Sequence, residues 1–444
     1  MDTIVALSTP PGRGGVAVIR VSGPLVSSIS LALLKKMPKP RYATFSSFYD
    51  LSNETIDQGI ALFFKNPHSF TGEDVLELHA HGGSIIVDCI IQVIVQSGAR
   101  LARPGEFSER AFLNNKIDLV QAEAIADLID ASSIQAARAA IHSLQGEFSK
   151  HIHALVKDVI WLRTYVEASI DFVDEDIDHL NDKKIELKLK ELFVQLKKIQ
   201  GAAKQGSLLR DGIKMVIAGS PNVGKSSLLN QLTGKDRAIV TDIPGTTRDV
   251  LHEHILIDGI PIHVMDTAGL RTSLDPVEEE GIRRAKAEIE KADIIVWVSD
   301  IQNREDFFIP EEIKNEKSIP IIFVQNKMDL INQASSLVEK EGHTEITLSA
   351  KSGAGIDLLK NEIKRFAGVQ STEEGLFSAR RRHVDALKRT ESFLEMGLKE
   401  FESKSGELLA ENLRLAQLAL NDITGEFTSD DLLGVIFSSF CIGK

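Results

Sequence analysis

The stretch Gly219-Ser-Pro-Asn-Val-Gly-Lys-Ser226 fits the pattern G-x-x-x-x-G-K-[ST]. It lies between residues 213–218, an apolar run typical of a buried strand, and residues 227–232, which are typical of a helix start. A strand, a glycine-rich loop and a helix in this order form a cradle of backbone N–H groups for phosphates. The sequence therefore predicts a phosphate-binding loop, with Lys225 on the β- and γ-phosphates and Ser226 on Mg²⁺.

Two later segments indicate which base the site binds. Asn326-Lys-Met-Asp329 follows the apolar run 319–325 and so ends a predicted strand, where open α/β sheets bind ligands. Asp329 can accept from N1–H and the exocyclic amine of guanine, which adenine does not offer, while Asn326 can address N7 and neighbouring loops. Ser349-Ala-Lys351 follows a further predicted strand and would close over the base.

Two other segments would sense Mg²⁺ and the γ-phosphate. Asp266-Thr-Ala-Gly269 ends a predicted strand and supplies a carboxylate and a flexible glycine. Thr246 and Thr247 offer the switch-I hydroxyl that completes the Mg²⁺ shell, which we assign to Ser226 and Thr247. The order and spacing of all these segments predict a GTP-binding domain. The positions assigned to GTP are Asn222, Val223, Gly224, Lys225, Ser226, Ser227, Thr241, Asp242, Ile243, Pro244, Gly245, Thr246, Thr247, Asp266, Thr267, Ala268, Gly269, Asn326, Lys327, Met328, Asp329, Ser349, Ala350 and Lys351.

Leu270 stands where Ras-like GTPases carry a glutamine that orients the attacking water. Leucine cannot position a water, so another group must. A bound cation together with an acid of the run 278–280 could do so, although an acidic run is also typical of a solvated helix start.

The composition is that of an ordinary soluble protein. The 444 residues are 43% hydrophobic and 26% charged, with a net charge of −13 and two cysteines. No apolar run is long enough to span a bilayer, and the N-terminus lacks the features of a signal peptide. Two cysteines cannot form a disulfide framework. We expect a cytoplasmic protein with no membrane partner.

Four stretches of the chain differ in character. Residues 1–117 mix short β-like runs with Gly/Pro turns and are predicted to form an α+β domain, whereas residues 118–210 carry apolar side chains at helical spacing. Residues 211–370 hold the nucleotide segments, a P-loop α/β domain of the Ras-like type. Residues 371–444 are again predicted helical. The plainest multidomain arrangement inserts the nucleotide domain into one helical domain built from both flanks.

Three local patterns need separate interpretation. Asp258-Gly259 between two β-like runs predicts a hairpin. The stretch His79-Ala-His81-Gly-Gly83 does not predict a metal site, because no third ligand is evident nearby. It does not predict an esterase loop either, because the chain has no G-x-S-x-G motif. We interpret it as a turn that lines a pocket. The basic cluster Arg380-Arg-Arg382 with Lys388 and Arg389 would form either a phosphate-contacting patch or a solvated helix face.

The last residues, Phe437-Ser-Ser-Phe-Cys-Ile-Gly-Lys444, make a poor prenylation signal. Cys441 is thus either a buried structural thiol or a thiol exposed at a site. This tail and six internal stretches closely resemble the MnmE (TrmE) family of tRNA uridine-modification GTPases, nearly from end to end. The internal stretches are Gly219–Ser226 with Thr241-Asp-Ile-Pro-Gly-Thr-Thr-Arg-Asp249, Ala102-Arg-Pro-Gly-Glu-Phe-Ser-Glu-Arg-Ala-Phe112, Thr9-Pro-Pro-Gly-Arg-Gly-Gly15, Ser69-Phe-Thr-Gly-Glu-Asp74 and Ser405-Gly-Glu-Leu-Leu-Ala410.

The resemblance implies a homodimer with an N-terminal folate-binding and dimerisation domain, a helical domain and an inserted G domain. It implies work with the FAD-dependent protein MnmG, in a heterotetramer or larger complex, on C5 of the wobble uridine of certain tRNAs. The group added is aminomethyl or carboxymethylaminomethyl. Its carbon comes from a tetrahydrofolate derivative, either 5-formyl or 5,10-methylene.

The resemblance also assigns residues. Folate positions fall on Arg20, Glu77, Lys116 and Lys444; without the resemblance these would be ordinary surface ion pairs. A potassium site falls on Asn222, Thr241, Ile243 and Thr246. The ion would supply positive charge as an arginine finger does, and its binding would accompany dimerisation of the G domains across the nucleotide. Glu278 matches the family's acid that orients the attacking water. Cys441 matches a thiol near the folate that has been proposed to take part in the modification.

Two rival functions remain open at this point. A ribosome-assembly or RNA-binding GTPase would share the loop Asn222-Val-Gly-Lys-Ser226, but such proteins usually append a basic domain. A membrane-remodelling GTPase would need a basic amphipathic helix, which the chain does not show.

Overall fold

The computed structural model describes residues 2–171, 183–234, 252–266, 292–303, 319–331, 333–340, 343–368, 377–426, 430–438 and 440–443. These residues form two compact units. The first comprises residues 1–126, 149–164 and 411–444, and the second comprises residues 127–148 and 165–410. None of the helices within the described ranges combines the length and apolar character that a membrane crossing requires.

The helices in chain order are α1 (Val26–Leu34), α2 (Ser84–Gln96), α3 (Glu106–Leu113), α4 (Leu119–Ile129), α5 (Ile134–Leu144), α6 (Glu147–Asp171), α7 (Lys183–Asp211), α8 (Lys225–Thr233), α9 (Ile356–Phe366), α10 (Arg381–Glu402), α11 (Gly406–Thr424) and α12 (Asp430–Ser438). The strands are β1 (Ile4–Leu7), β2 (Gly14–Ser22), β3 (Thr44–Tyr49), β4 (Thr55–Phe64), β5 (Val75–Gly82), β6 (Arg100–Leu101), β7 (Ile213–Ala218), β8 (His252–Ile257), β9 (Ile260–Asp266), β10 (Ile294–Asp300), β11 (Ile321–Asn326), β12 (Ser336–Lys340) and β13 (His343–Thr347).

The first unit is built on a six-stranded sheet in the order β3-β4-β5-β2-β1-β6. All neighbours are antiparallel except β1 and β6, which are parallel. Apolar residues of α1 and α2, such as Ile29 and Ile90, share one core with Ile19 and Leu78 of the sheet. This arrangement confirms the α+β prediction for the N-terminal part of the chain.

The C-terminal helix α12 packs within the same unit on α3 and α4. Leu433, Ile436 and Phe437 are buried against Leu119 and Ala122, so one face of the helix belongs to this core. Gly105, which precedes α3, has φ +67°, and an added Cβ would lie 2.4 Å from the carbonyl oxygen of Phe437. Only glycine allows this close approach.

The second unit contains a seven-stranded sheet in the order β12-β13-β11-β10-β7-β9-β8. The five central strands are parallel, and β12 and β8 pair antiparallel at the two edges. Continuous apolar runs such as β10 are buried, as parallel strands covered on both faces require. Asp258 and Gly259 both have positive φ in the turn between β8 and β9, and the predicted hairpin is confirmed.

The helices of the second unit pack by the spacing of their apolar residues. Leu189, Leu192, Leu196 and Ile199 recur along the buried face of α7, which contacts α5 and α10. Gly206 lets the segment before α10 approach closely, because a Cβ there would lie 1.9 Å from the carbonyl oxygen of Phe377.

Candidate functional site

The phosphate-binding loop runs from the end of β7 into the first turn of α8. Gly219 has φ +143°, and an added Cβ would lie 2.0 Å from the carbonyl oxygen of Val298 on β10. Lys225 Nζ donates to the carbonyl oxygens of Gly219 and Ser220 at 2.7 and 3.0 Å. The lysine ammonium therefore lies over the loop whose N–H groups would hold phosphates.

Asn326 holds the loops of this site together. Its Nδ2 donates to the carbonyl oxygen of Val223 at 2.7 Å, and its Oδ1 accepts from the backbone N–H of Ala350 at 2.8 Å. The side chain is buried, and Gly224 passes so close that a Cβ there would lie 2.4 Å from Nδ2. Both amide atoms thus bridge the neighbouring loops that the sequence associated with this residue.

The next residues of the motif carry the charged contacts. Asp329 Oδ1 accepts from the buried hydroxyl of Ser349 at 2.6 Å, which fixes the carboxylate. Lys327, in a left-handed conformation, donates to Asp300 Oδ2 at 2.7 Å. Burial alone would raise the pKa of Asp300, but hydrogen bonds from Lys327 and the backbone N–H of Gln302 lower it overall.

A cavity of about 490 Å³ lies between these segments, a size that suits a nucleotide base and sugar. The residues around it are Gly224, Ser227, Asn230, Gln231, Asn326, Lys327, Asp329, Leu330, Ala350 and Lys351. The structure thus brings together the predicted residues of the loop and of the two base-side segments. Sequence reasoning missed Asp300, although its place at the carboxyl end of β10, beside β11, would have pointed to it.

Several predicted positions lie outside the described residues. They are Thr241, Asp242, Ile243, Pro244, Gly245, Thr246, Thr247, Thr267, Ala268, Gly269, Leu270, Glu278 and Lys444, together with the side chain of Asp266. Asn222, predicted for potassium, is exposed and left-handed at φ +62°. Ser226, predicted for Mg²⁺, lies in the first turn of α8 and is exposed.

A second polar cluster lies on the sheet of the first unit. Arg20 and Glu77 stand directly opposite each other on β2 and β5, and Arg20 Nε donates to Glu77 Oε1 at 2.8 Å. The guanidinium also lies 5.8 and 5.7 Å from the ring centres of Phe70 and Phe107. Arg20 Nη1 donates to the carbonyl oxygen of Gly443 at 3.4 Å, which places the C-terminal tail at this cluster.

Lys116 approaches the cluster from another side. Its Nζ donates to the carbonyl oxygen of Pro67 at 3.0 Å, and its aliphatic chain lies against Gly72. The loop 69–74 therefore contacts both predicted cations, Arg20 through Phe70 and Lys116 through Gly72. Cys441 is exposed, and its carbonyl oxygen accepts from the backbone N–H of Gly105 at 3.3 Å.

Two local interpretations need correction. His79 and His81 lie inside β5 and not in a turn, because this stretch pairs with β2 and β4 in extended register. His81 binds Asp57 at 2.8 Å; burial would raise the pKa of Asp57, but the backbone N–H and imidazole of His81 lower it. Arg380 does not belong to an exposed basic patch, because its Nη2 donates to the buried Asp127 at 2.8 Å.

Comparison with known proteins covers almost the whole chain. Residues 119–441 match the family model described as the MnmE helical domain, and residues 3–116 match that of the GTP-binding protein TrmE N-terminus. The tRNA modification GTPase MnmE of Haemophilus influenzae strain PittGG is 56% identical over 451 residues, covering 100% of both chains. That of Proteus mirabilis strain HI4320 is 57% identical over 100% of this chain and 99% of the relative.

Proposed function

The chain belongs to the MnmE family of tRNA modification GTPases, and we propose that its GTP hydrolysis drives a one-carbon modification of the wobble uridine. With MnmG as the partner, an aminomethyl or carboxymethylaminomethyl group is added to C5 of that uridine in certain tRNAs. A tetrahydrofolate derivative donates the carbon. Relatives named tRNA modification GTPase MnmE, at 56–57% identity and nearly full coverage, support the tRNA-modification and GTPase parts of this proposal.

The observation that carries the GTPase part is the fixed carboxylate of Asp329. Ser349 orients it beside a cavity that is also lined by Ser227, Asn230 and Gln231 of α8. A carboxylate in this place accepts two hydrogen bonds from guanine and none from adenine. We assign Ser226 and Thr247 to Mg²⁺, which neutralises phosphate charge when bound, and Lys225 to the β- and γ-phosphates.

The missing water-orienting glutamine is replaced, in our proposal, by a potassium ion and Glu278. Asn222, exposed on the phosphate-binding loop, would supply one ligand, and Thr241, Ile243 and Thr246 the others. The coordination shell of the ion would be completed when two G domains associate across their nucleotides. We expect GTP hydrolysis to be at least about tenfold faster in potassium than in sodium at matched ionic strength. Equal rates in the two salts would remove the potassium site.

The folate site is proposed at the Arg20 cluster. Paired Arg20 and Glu77, with the two aromatic rings and the C-terminal tail beside them, offer donors, an acceptor and stacking surfaces for a pterin carrying a carboxylate. Lys116 and Lys444 would meet the glutamyl carboxylates. Isothermal titration of 5-formyltetrahydrofolate tests this assignment: Glu77→Gln should weaken binding, while Glu54→Gln, at an exposed carboxylate just before β4, should not.

Cys441 is proposed as a thiol at the folate site, consistent with its exposure on a tail that contacts the Arg20 cluster. The decisive comparison is Cys441→Ser in a system reconstituted with MnmG, folate, GTP and tRNA. A serine variant that modifies tRNA at the full rate shows that the thiol is not catalytic.

The proposed assembly is a homodimer bound to MnmG, acting in the cytoplasm. The proposed domain limits are 1–117 for folate binding and dimerisation, 118–210 and 371–444 for the helical domain, and 211–370 for the G domain. Appearance of modified uridine that requires this chain, MnmG, folate and GTP together tests the proposal as a whole.

A further inference from the structure

Asp127, near the end of α4, is a buried carboxylate with three side-chain donors. Arg210 Nε and Arg380 Nη2 both donate to its Oδ1, at 2.7 and 2.8 Å. Ser378 Oγ donates to Oδ2 at 2.6 Å. Only 5% of the Asp127 side chain is exposed, so these contacts replace nearly all of its hydration. We call these four residues the crossing clamp.

The donors come from two segments that we call the crossings, where the chain passes into and out of the G domain. Arg210 is in the last turn of α7, two residues before Gly212 and the start of β7. Ser378 and Arg380 directly precede α10, after the G-domain helix α9. One carboxylate therefore holds both crossings. The outgoing crossing is also tied to α5, since Ser378 N–H donates to the carbonyl oxygen of Ala139 at 3.0 Å.

Helix α5 also contacts the hairpin that joins the two nucleotide-sensing segments. An added Cβ at Gly259, in the turn between β8 and β9, would lie 2.3 Å from the side chain of Gln135. Ala139 of the same helix belongs to the hydrophobic core of the G domain. Strand β8 follows the segment that carries Thr247, and β9 ends at Asp266. A shift of the hairpin would therefore reach α5 and, through it, the clamp.

We propose that Asp127 is a positioning residue that couples the nucleotide state of the G domain to tRNA modification. The Asp127 carboxylate is 5% exposed and is shared by two guanidinium groups, so moving either arginine away weakens the compensation of a buried charge. The clamp thus makes the two crossings move together when the hairpin presses on α5. Coupling between distant sites requires such a contiguous element. A clamp that served only stability would affect hydrolysis and modification alike.

The test separates these outcomes in the full-length protein. Asp127→Asn should hydrolyse GTP within about twofold of the unmodified chain, while the amount of modified uridine formed per GTP should fall about fivefold or more. Hydrolysis is measured on purified protein. Modification is followed by mass spectrometry of tRNA after induction in cells whose own MnmE-family protein has been removed, at matched protein levels.

Asp130→Asn is the matched control. Asp130 lines the same small cavity of about 110 Å³ as Asp127, Arg210 and Ser378 but makes none of the clamp's hydrogen bonds. It should leave both rates unchanged. If Asp130→Asn uncouples as strongly, or if Asp127→Asn changes both rates in proportion or neither, the proposal is wrong.

Gln135→Ala keeps the test decisive should Asp127→Asn fail to fold. Gln135 is exposed, so its truncation spares the core while removing the contact with the hairpin turn. Uncoupling in this variant supports the route from hairpin to clamp. An unchanged ratio of modification to hydrolysis overturns it.

Discussion

The Asp329 carboxylate stands at the carboxyl edge of the G-domain sheet, with Oδ1 accepting from Ser349 at 2.6 Å. Asp329→Asn exchanges an acceptor for a donor where guanine presents its own donors. Affinity for GTP should fall about hundredfold or more, because buried polar groups are left unpaired. Affinity for xanthosine triphosphate should rise, since xanthine carries a carbonyl in place of the amine.

Displacement of a fluorescent guanine nucleotide measures both affinities. Asp357→Asn, an exposed carboxylate in the first turn of α9, is the charge-matched control and should change neither. Retained GTP selectivity in Asp329→Asn would mean that another group selects the base.

Individual side chains also show where sequence reasoning ends. The motif predicts Asn326 at the candidate site, but no pattern could say that both its amide atoms join Val223 and Ala350. Arg380 was grouped with its neighbours because adjacent letters carry the same charge. Its burial depends on Asp127, which is 253 residues away in the sequence, and such pairings follow from tertiary packing alone.

Helix α3 begins with a buried carboxylate whose ionisation stabilises the first unit. Burial alone would raise the pKa of Glu106, but donors from Arg100, the backbone N–H of Arg103 and Arg110 lower it from 4.5 to about 2. The unfolded chain binds this proton at higher pH than the folded chain. The stabilisation is therefore complete above about pH 4.5 and is lost as the pH falls toward 2. Its size at neutral pH is about 3 kcal/mol.

Urea unfolding of Glu106→Gln and of the unmodified chain should therefore differ most near pH 6 and converge toward pH 2. Glu109→Gln on the same helix should show little difference at any pH, because its partner Arg103 is 64% exposed and surface pairs contribute little. A constant gap between Glu106→Gln and the unmodified chain across this range would contradict the assignment.

The approach of α3 to α12 makes Gly105 a sensitive position. In Gly105→Ala the new methyl group would lie 2.4 Å from the Phe437 carbonyl oxygen, at a backbone φ of +67°. We expect a loss of about 2 kcal/mol in the stability of the first unit. Amide hydrogen exchange in α12 should accelerate. Gly434→Ala, on α12 itself where an added Cβ meets nothing within 4 Å, should instead slow exchange through higher helix propensity.

Turns that are specified by their own residues could be predicted from the sequence. Strand ends that depend on hydrogen bonds to neighbouring strands could not. Asp258-Gly259 specifies its turn by backbone conformation alone, and the hairpin is found there. The sequence predicts a turn over 79–83, which contains two glycines, yet residues up to Gly82 extend β5. Strand β4 pairs with β5 as far as His79, and β2 pairs with it as far as Gly82. Glycine marks a break only where no neighbouring strand competes.

At the level of the chain, the motifs specified the G domain and the C-terminal tail, since each places particular atoms at fixed spacing. They left open whether the GTPase acts on tRNA or on ribosome assembly. Full-length similarity to tRNA modification GTPases favours tRNA modification over ribosome assembly. Residues 149–164 and 411–444 belong to the same compact unit as the N-terminal sheet, and no local pattern encodes which helices join which unit.

The two units and two proposed ligands give a test of both sites in one experiment. Because each unit has its own core, calorimetry of the full chain should resolve two unfolding transitions. A guanine nucleotide at about 100 times its Kd should stabilise the second unit by about 2.7 kcal/mol and raise that transition by several degrees. 5-Formyltetrahydrofolate should raise only the other transition. Asp329→Asn should abolish the first shift and Glu77→Gln the second. A single transition, or an equal shift of both transitions by either ligand, would contradict independent unfolding of the two units.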